Sequence, residues 1–324
     1  NKSMLDNQPP VSLHSLSYVG SKLSRPECVL ATPSNGIFAS HMGAGIVHIN
    51  ADGSQRLFGK HTFVDGHMWI PNGFAQTENG FQIANMGEQG GVWQLDIGGH
   101  LRPILLEIDG KKLGPTNFVL QMPQGGMYIS VSTNRWPLIE ALNHTSGRQI
   151  ADGYICLVDR AGARVVADNL CFANEIRQSP DGRYIYACET MAARIIRFPV
   201  LKNGDLGKAE VVIQFSSEIF PDGLAFDTDG CIWCVSVISN KLLRIGKNGE
   251  FKTIIEDSDQ EYIAGAVRNI SAGTMTRDYI EKNPSTILKN ISSISFGGAD
   301  MKSVYIGSLS CAHLIKFRSS VAGI

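Results

Sequence analysis

The sequence predicts an all-β fold, a single six-bladed propeller, and three observations predict it. Short β-rich runs are separated by Asp/Asn-Gly turn signals, helix-period stripes are rare, and the runs recur about every 45 to 55 residues where nothing is inserted. The chain has 324 residues, 43% of them hydrophobic, which suits one closed all-β domain with a large core.

The repeat can be read directly. Phe74-Ala-Gln-Thr-Glu-Asn-Gly80-Phe-Gln-Ile-Ala is followed by Gly91-Val-Trp-Gln-Leu-Asp and then Leu101-Arg-Pro-Ile-Leu-Leu. Ile176-Arg-Gln-Ser-Pro-Asp-Gly182 and Leu224-Ala-Phe-Asp-Thr-Asp-Gly230 open two further copies. Each unit reads strand, turn, strand, loop, strand, turn, strand, which is a propeller blade. Gly36, Gly80, Gly126, Gly182 and Gly230 mark five turns, and a sixth unit runs through 291–317 with its turn at Gly298. The blades are expected at 27–60, 72–107, 117–168, 174–214, 222–256 and 290–319. A lone blade cannot bury both faces, so the six close into a ring. The last unit shows three clear strands, so a strand around 13–18 is expected to complete it. Insertions at 134–152 and 257–289 break the period and read as lid loops, the second with a short helix at Tyr279-Ile-Glu-Lys-Asn.

Composition narrows the function. Net charge is −1 and the basic residues are dispersed, so a nucleic-acid partner is not expected. No apolar run approaches the roughly 18 residues of a membrane helix, and residues 1–10 are polar, without a signal core. Met4 reads as a natural start, with residues 1–3 preceding it. Seven cysteines, mostly inside apolar runs, argue against a disulfide framework and for a reducing, cytoplasmic setting. Cys231-Ile-Trp-Cys234 has CxxC spacing, but on a strand its sulfurs point to opposite faces, so buried apolar roles are expected.

The innermost strand of each blade begins at one end of the channel. The residues just before it are Pro26-Glu27, Pro71-Asn72, Thr116-Asn117, Ala173-Asn174, Pro221-Asp222 and Lys289-Asn290. Any one of these alone is turn chemistry. Six in register form a ring of oxygen donors. Two carboxylates among amides repel unless a positive group sits between them. With no Lys or Arg at the equivalent positions, apart from Lys289 one residue earlier, a divalent cation is the simplest counter-charge. All-oxygen donors favour Ca²⁺ first, with Mg²⁺, Mn²⁺ or Zn²⁺ as alternatives.

Asn174-Glu-Ile-Arg-Gln-Ser-Pro-Asp-Gly-Arg-Tyr-Ile-Tyr and Pro221-Asp-Gly-Leu-Ala-Phe-Asp-Thr-Asp-Gly resemble the senescence-marker-protein/gluconolactonase (regucalcin-like) family over roughly residues 26–318. The resemblance implies a six-bladed propeller, metal ligands at Glu27, Asn174 and Asp222, and lactonase activity on sugar acids or other small lactones. It also implies that Asn117 joins the metal shell or touches substrate. This chain departs from the family in three places. Glu27-Cys28-Val29 stands for the usual Glu-Gly-Pro, Asn174-Glu175 for Asn-Gly, and Pro115 occupies a position where sugar-lactone members often carry Arg.

These residues suit metal-dependent opening of a small lactone or related ester. The cation polarises the carbonyl, Asp222 is the general-base candidate, and Glu27 is mainly a charge-balancing ligand. Asn117 and Asn72 are expected to bind substrate, Arg135 and Trp136 to shape its access, and Glu175 either to supply a second acid or base or to face the blade wall. No Gly-x-Ser-x-Gly elbow supplies a serine nucleophile. Two other functions compete on the same scaffold: different chemistry, such as strictosidine-synthase-like condensation or organophosphate hydrolysis, and non-catalytic binding. Oligomeric state is left open by the sequence.

Overall fold

The computed structural model describes residues 3–34, 36–144 and 147–324. Asn1, Lys2, Asn35, Thr145 and Ser146 lie outside the described residues, and with them part of the expected chain start and of the 134–152 insertion.

Alternating apolar residues and tight turns fold locally into antiparallel sheets of four strands. Blade one holds Val29–Ala31, Ile37–Ser40, Ile46–Ile49 and Gln55–Phe58. Blade two holds Pro71–Thr77, Gly80–Asn85, Val92–Asp96 and Leu101–Leu105, and blade three Thr116–Gln121, Met127–Val131, Gly153–Asp159 and Gly162–Leu170. Blade four follows with Ala173–Gln178, Tyr184–Glu189, Arg194–Pro199 and Glu210–Gln214, and blade five with Pro221–Phe226, Ile232–Ser236, Lys241–Ile245 and Phe251–Glu256. Blade six is built from Ile291–Gly297, Ser303–Ser308 and Leu314–Arg318, with Ser17–Val19 as its outer strand.

The turn chemistry is explicit at Asp181-Gly182. The Asp181 carboxylate accepts from Ser179 Oγ at 2.6 Å and from the Arg183 amide at 3.0 Å, and Gly182 takes a φ of 75° that only glycine adopts at no steric cost. At Gly80 the reason is space: a Cβ there would lie 2.1 Å from the Leu95 carbonyl oxygen. The core fills the gaps between blades. Trp233 of blade five is fully buried and meets Phe296 of blade six edge-on at 5.1 Å, while Phe81 of blade two meets Phe58 of blade one at 5.2 Å.

Ring closure pairs Ser17 with Lys316, Tyr18 with Ile315 and Val19 with Leu314. The closing strand starts later than the expected 13–18. Ser12 Oγ accepts from the His14 amide, and Ser15 Oγ donates to the Ser12 carbonyl at 2.7 Å, so Leu13–Ser15 is a 3₁₀ turn.

The 257–289 insertion folds as α1 (Gln260–Ala272) and α2 (Arg277–Glu281). Asp259 caps α1 by accepting from the Tyr262 amide at 2.8 Å, and Gly273 ends it in the left-handed region. The expected short helix at Tyr279 is α2, displaced N-terminally by its Thr276 cap. The longer α1 was missed. Its signals were Asp259, Gly273 and the apolar spacing Ile263, Ala266, Ile270.

All seven cysteines are free and buried. Cys234 faces Cys188 of blade four with the sulfurs 4.0 Å apart.

Candidate functional site

A recurring irregularity places the site. In blades two to six the register of the innermost strand slips at its first residues: between Pro71 and Phe74, Thr116 and Phe118, Ala173 and Ile176, Pro221 and Leu224, and Ile291 and Ser293. Such a bulge re-aims the side chains it releases from pairing. The released residues include Asn72, Asn117, Asn174 and Asp222, and in blade six Ser292. This corrects the expected register of blade six, where Asn290 was placed on the ring. Asn290 lies before the strand, accepts from Asn283 Nδ2 at 2.9 Å and donates to the Ile280 carbonyl at 3.1 Å. It fastens the insertion instead.

The mouth is also where the blades are tied to one another. Arg25 Nη1 donates to the Pro71 carbonyl at 3.2 Å, Asn72 Nδ2 to the Asn117 carbonyl at 2.9 Å, and Ser130 Oγ to the Asn174 carbonyl at 2.7 Å. Thr190 Oγ1 donates to the Pro221 carbonyl at 2.7 Å, the Ile291 amide to Asn240 Oδ1 at 3.1 Å, and Ser292 Oγ to the Glu27 carbonyl at 2.7 Å. Every blade thus grips the innermost strand or lead-in of the next, and the ring residues are held from behind.

Glu27, Asn72, Asn117, Asn174 and Asp222 are all buried. Two of them are left with an oxygen unspent. Asn174 Nδ2 donates to Thr190 Oγ1 at 3.0 Å, and its Oδ1 has no partner; Asp222 Oδ1 has none either. A buried acceptor without a donor is costly and calls for an explanation. The Asn72 and Asn117 amides are spent within the wall. Asn72 Oδ1 accepts from Arg25 Nη1 at 2.9 Å, Asn72 Nδ2 reaches Asn117 Oδ1 at 3.3 Å, and Asn117 Nδ2 donates to Ser132 Oγ at 2.9 Å.

The carboxyls around this mouth are all raised. Burial pushes the Glu27 carboxyl up to about 8, against the pull of Arg25, with Glu175 adding to the rise. Burial, then Glu27 and Glu175, hold Asp222 well above the ordinary carboxylate range. Glu175 is raised by burial although Arg177 Nη2 bonds its Oε1 at 2.7 Å. Its other oxygen lies 2.9 Å from where a Cβ on Gly223 would stand, so the carboxylate runs beside the blade-five strand that carries Asp222. Burial lowers Arg25 in turn, opposed by Glu27 and Asp222. Three buried carboxyls thus share the mouth with Arg25 and Arg177, while Arg277 of α2, exposed and paired with Glu281, also acts on Arg25. Carboxyls raised in this way keep their protons or are offset by a bound cation.

No Arg or Lys stands at a ring position, yet Arg25 brings a positive group to the mouth from outside that register. It escaped notice because it lies two residues before Glu27 in the lead-in rather than directly at the strand, where its left-handed φ of 49° turns the side chain toward blade two.

Above the ring sits an apolar roof. Phe172, Met191, Phe220 and Ile238, from the blade tops, pack with Ala266, Ile270 and Met275 of the 257–289 insertion and Leu138, Ile139 and Leu142 of the 134–152 insertion. The insertions are bonded to each other: the Met275 amide donates to Asn143 Oδ1 at 2.8 Å, and the His144 amide to the Ile270 carbonyl at 3.1 Å. Arg135 and Trp136 are placed elsewhere. Arg135 faces Asp152 at 3.9 Å, and Trp136 lines a groove of about 830 Å³ with Lys111, Pro115 and Asp168, none of the ring donors among its walls.

The fit to a cation rests on the two orphan oxygens, the buried third donor Glu27 and the raised carboxyls of Glu27 and Asp222. Among the described residues no group of three or more His, Cys, Asp or Glu side chains is arranged to hold a metal. The donor set here is two carboxylates and an amide, all hard oxygen.

A model of the SMP-30/gluconolactonase/LRE-like region matches residues 58–258, well over half of the chain. The chain belongs to this family. Among curated relatives, 6-deoxy-6-sulfogluconolactonase of Pseudomonas putida is 30% identical over 90 residues, 27% of this chain and 31% of that protein. The match thus spans about a third of that relative's length. The calcium-binding protein regucalcin of Agrobacterium tumefaciens superposes with a TM-score of 0.67 at 18% identity, over 98% of this chain and 96% of that one. A gluconolactonase of Xanthomonas campestris gives 0.66 at 15% identity, over 94% and 89%. At such identities the structural likeness establishes the six-bladed fold.

Proposed function

We propose that this SMP-30/gluconolactonase family member is a metal-dependent hydrolase that opens a small lactone or related ester at the channel mouth. The observation that carries the reading is the pair of unsatisfied buried oxygens, Asn174 Oδ1 and Asp222 Oδ1, among carboxyls that burial and mutual repulsion raise. Glu27, Asn174 and Asp222 are the residues that would hold the ion, with Ca²⁺ first among candidates. When bound, the cation supplies Lewis acidity for the ester carbonyl and offsets the carboxylate charge.

The chain's own groups do the rest. Thr190 fixes the Asn174 amide so that its oxygen faces inward. Arg25, held on Asn72 and the Pro71 carbonyl, keeps Glu27 and Asp222 in a positive field. Asp222 as a carboxylate takes the proton from the attacking water. The water oxygen adds to the acyl carbon, the acyl–oxygen bond breaks, and the proton passes to the departing alkoxide, giving the hydroxy acid. The roof over the ring excludes bulk water, which strengthens each of these electrostatic contributions.

The test is metal content of purified wild type beside Asp222→Ala, with both assayed on a lactone panel after chelation and after add-back of Ca²⁺, Mg²⁺, Mn²⁺ or Zn²⁺. About one ion per chain and metal-dependent turnover in wild type only supports the reading. A metal-free wild type whose properties do not change in the variant overturns it, and a metal-independent condensing or binding propeller takes its place.

A further inference from the structure

Arg25 uses only part of its guanidinium to tie blade one to blade two. Nη1 donates to the Pro71 carbonyl at 3.2 Å and to Asn72 Oδ1 at 2.9 Å, which occupies both of its hydrogens. Nε and Nη2 bond to no described residue, and Arg25 forms no ion pair among the described residues. Neither nitrogen belongs to the fully buried atoms without a partner, and the side chain is partly exposed, so this edge keeps contact with solvent. A structural arginine of the same fold is used differently. Arg244, fully buried, spends all three nitrogens: Nε on Asp227, Nη1 on the Met4 carbonyl and Nη2 on Asp229, each at 2.9 Å. The idle edge of Arg25 stands at the ring. Asn72 is a ring residue, and the charges of Glu27 and Asp222 both act on Arg25. Arg277 of α2 acts on it too, from an exposed position where its Nε bonds Glu281 at 2.9 Å. Glu27 and Asp222 are the residues that would hold the ion. With an ion bound, Arg25 has no carboxylate of its own chain left to face.

We infer that Arg25 is the specificity-determining residue of the mouth, its Nε/Nη2 edge taking a carboxylate substituent of the substrate, so that the substrate class is a small lactone bearing one carboxylate. The inference rests on the proposed hydrolase reading. The Nε–H and Nη2–H bonds of a guanidinium are parallel and coplanar, and a carboxylate matches them with two hydrogen bonds. A doubly charged group would be repelled by Glu27 and Asp222, so a single negative charge suits the place. Arg277 at the rim adds a positive field that draws an anion toward the mouth and fades as salt rises.

The experiment measures kcat/KM, with Ca²⁺ added, on 5-oxotetrahydrofuran-2-carboxylate and on the matching carboxamide, which has the same shape and no charge. Wild type is set beside Arg25→Met and Arg25→Lys. The readout is the carboxylate-to-carboxamide ratio within each protein, which a general loss of activity or of folded protein leaves unmoved. In wild type the ratio is about 10 to 150, the fold-change of about 1.5–3 kcal/mol for hydrogen bonds to a charged group. In Arg25→Met it falls to about one. In Arg25→Lys, which keeps the charge without the paired edge, it falls by about threefold or more. A wild-type ratio near one, or a ratio that survives Arg25→Met, overturns the anchor and leaves the hydrolase reading standing. Should Arg25→Met not fold, an undiminished ratio in Arg25→Lys overturns it in the same way. Where no lactone is turned over, calorimetry with 3-oxocyclopentane-1-carboxylate and its carboxamide decides. Binding of the carboxylate alone, weakened in Arg25→Lys, upholds the anchor and sinks the hydrolase; binding of neither, or of both alike, sinks both.

Discussion

Glu27→Gln isolates the charge problem at the channel mouth. The Glu27 carboxyl has an ordinary value of 4.5 and is raised to about 8 in the fold. Between those values the folded protein holds a proton that the unfolded chain has released. Stability therefore falls as pH rises through this window, from its full value below 4.5 to its lowest above 8. At pH 7 the loss is about 3 kcal/mol, at about 1.36 kcal/mol per unit of pH. Gln keeps the shape and never ionises. In chelator at pH 7 the variant is thus expected to melt roughly 6 °C above wild type, at about 2 °C per kcal/mol for a chain of this size. The gap should close toward pH 4.5 and widen toward pH 8.5. Saturating Ca²⁺ reverses the order: at about a thousand times Kd it stabilises wild type by about 4.1 kcal/mol, while the variant gains little. Differential scanning fluorimetry at pH 5, 7 and 8.5, with chelator and then with Ca²⁺, reads both effects. Parallel pH profiles for the two proteins, or an equal Ca²⁺ shift, would refute the charge argument.

Other perturbations separate the site from its frame. Thr190→Val frees the Asn174 amide and is expected to weaken Ca²⁺ binding about 10- to 100-fold, read by calorimetry, with Mn²⁺ tested alongside. Asp227→Ala removes one of the two carboxylates on Arg244: Asp227 Oδ2 accepts from Arg244 Nε at 2.9 Å and from Trp233 Nε1 at 2.7 Å, while Asp229 Oδ2 stays on Arg244 Nη2 at 2.9 Å. With the Trp233 donor left buried and unpaired, a loss of about 1–3 kcal/mol is expected in urea unfolding, with turnover per folded molecule unchanged. Removing the chain through Val19 leaves blade six with three strands and a bare edge, so the urea midpoint should drop and self-association should appear on size exclusion.

Much of the fold was legible because it is periodic. Asp-Gly turns, alternating apolar residues and a repeat near fifty residues each follow from local chemistry, so Gly80, Gly182 and Gly230 could be read without knowing what they pack against. The ring donors Asn72, Asn117, Asn174 and Asp222 were legible for the same reason, since each lies at one phase of the repeat. Asn290 was misplaced because Gly298 opens the blade-six turn, where Gly182 and Gly230 fall late in theirs, so counting back from the glycine lands before the strand, and the bulge that releases Ser292 is a matter of pairing rather than of composition. Helix α1 carried its caps in plain view but sat inside a segment read only as an interruption.

By itself, then, the sequence determined what local chemistry determines: an all-β repeat, its phase, and the oxygen donors that phase brings to one mouth. Three things only the tertiary structure decided. Arg25 reaches Asn72 across 47 residues and enters the field of Glu27 and Asp222. The two insertions, distant in sequence, bond to each other and pack on the blade tops. Of the amides at the mouth, Asn72 is spent on Arg25 and on blade three, and Asn117 on Asn72 and on Ser132 of its own blade, while Asn174 keeps an oxygen free. Each depends on which groups meet across blade boundaries. Closure of the ring sets that, and nothing in a single blade's sequence encodes it.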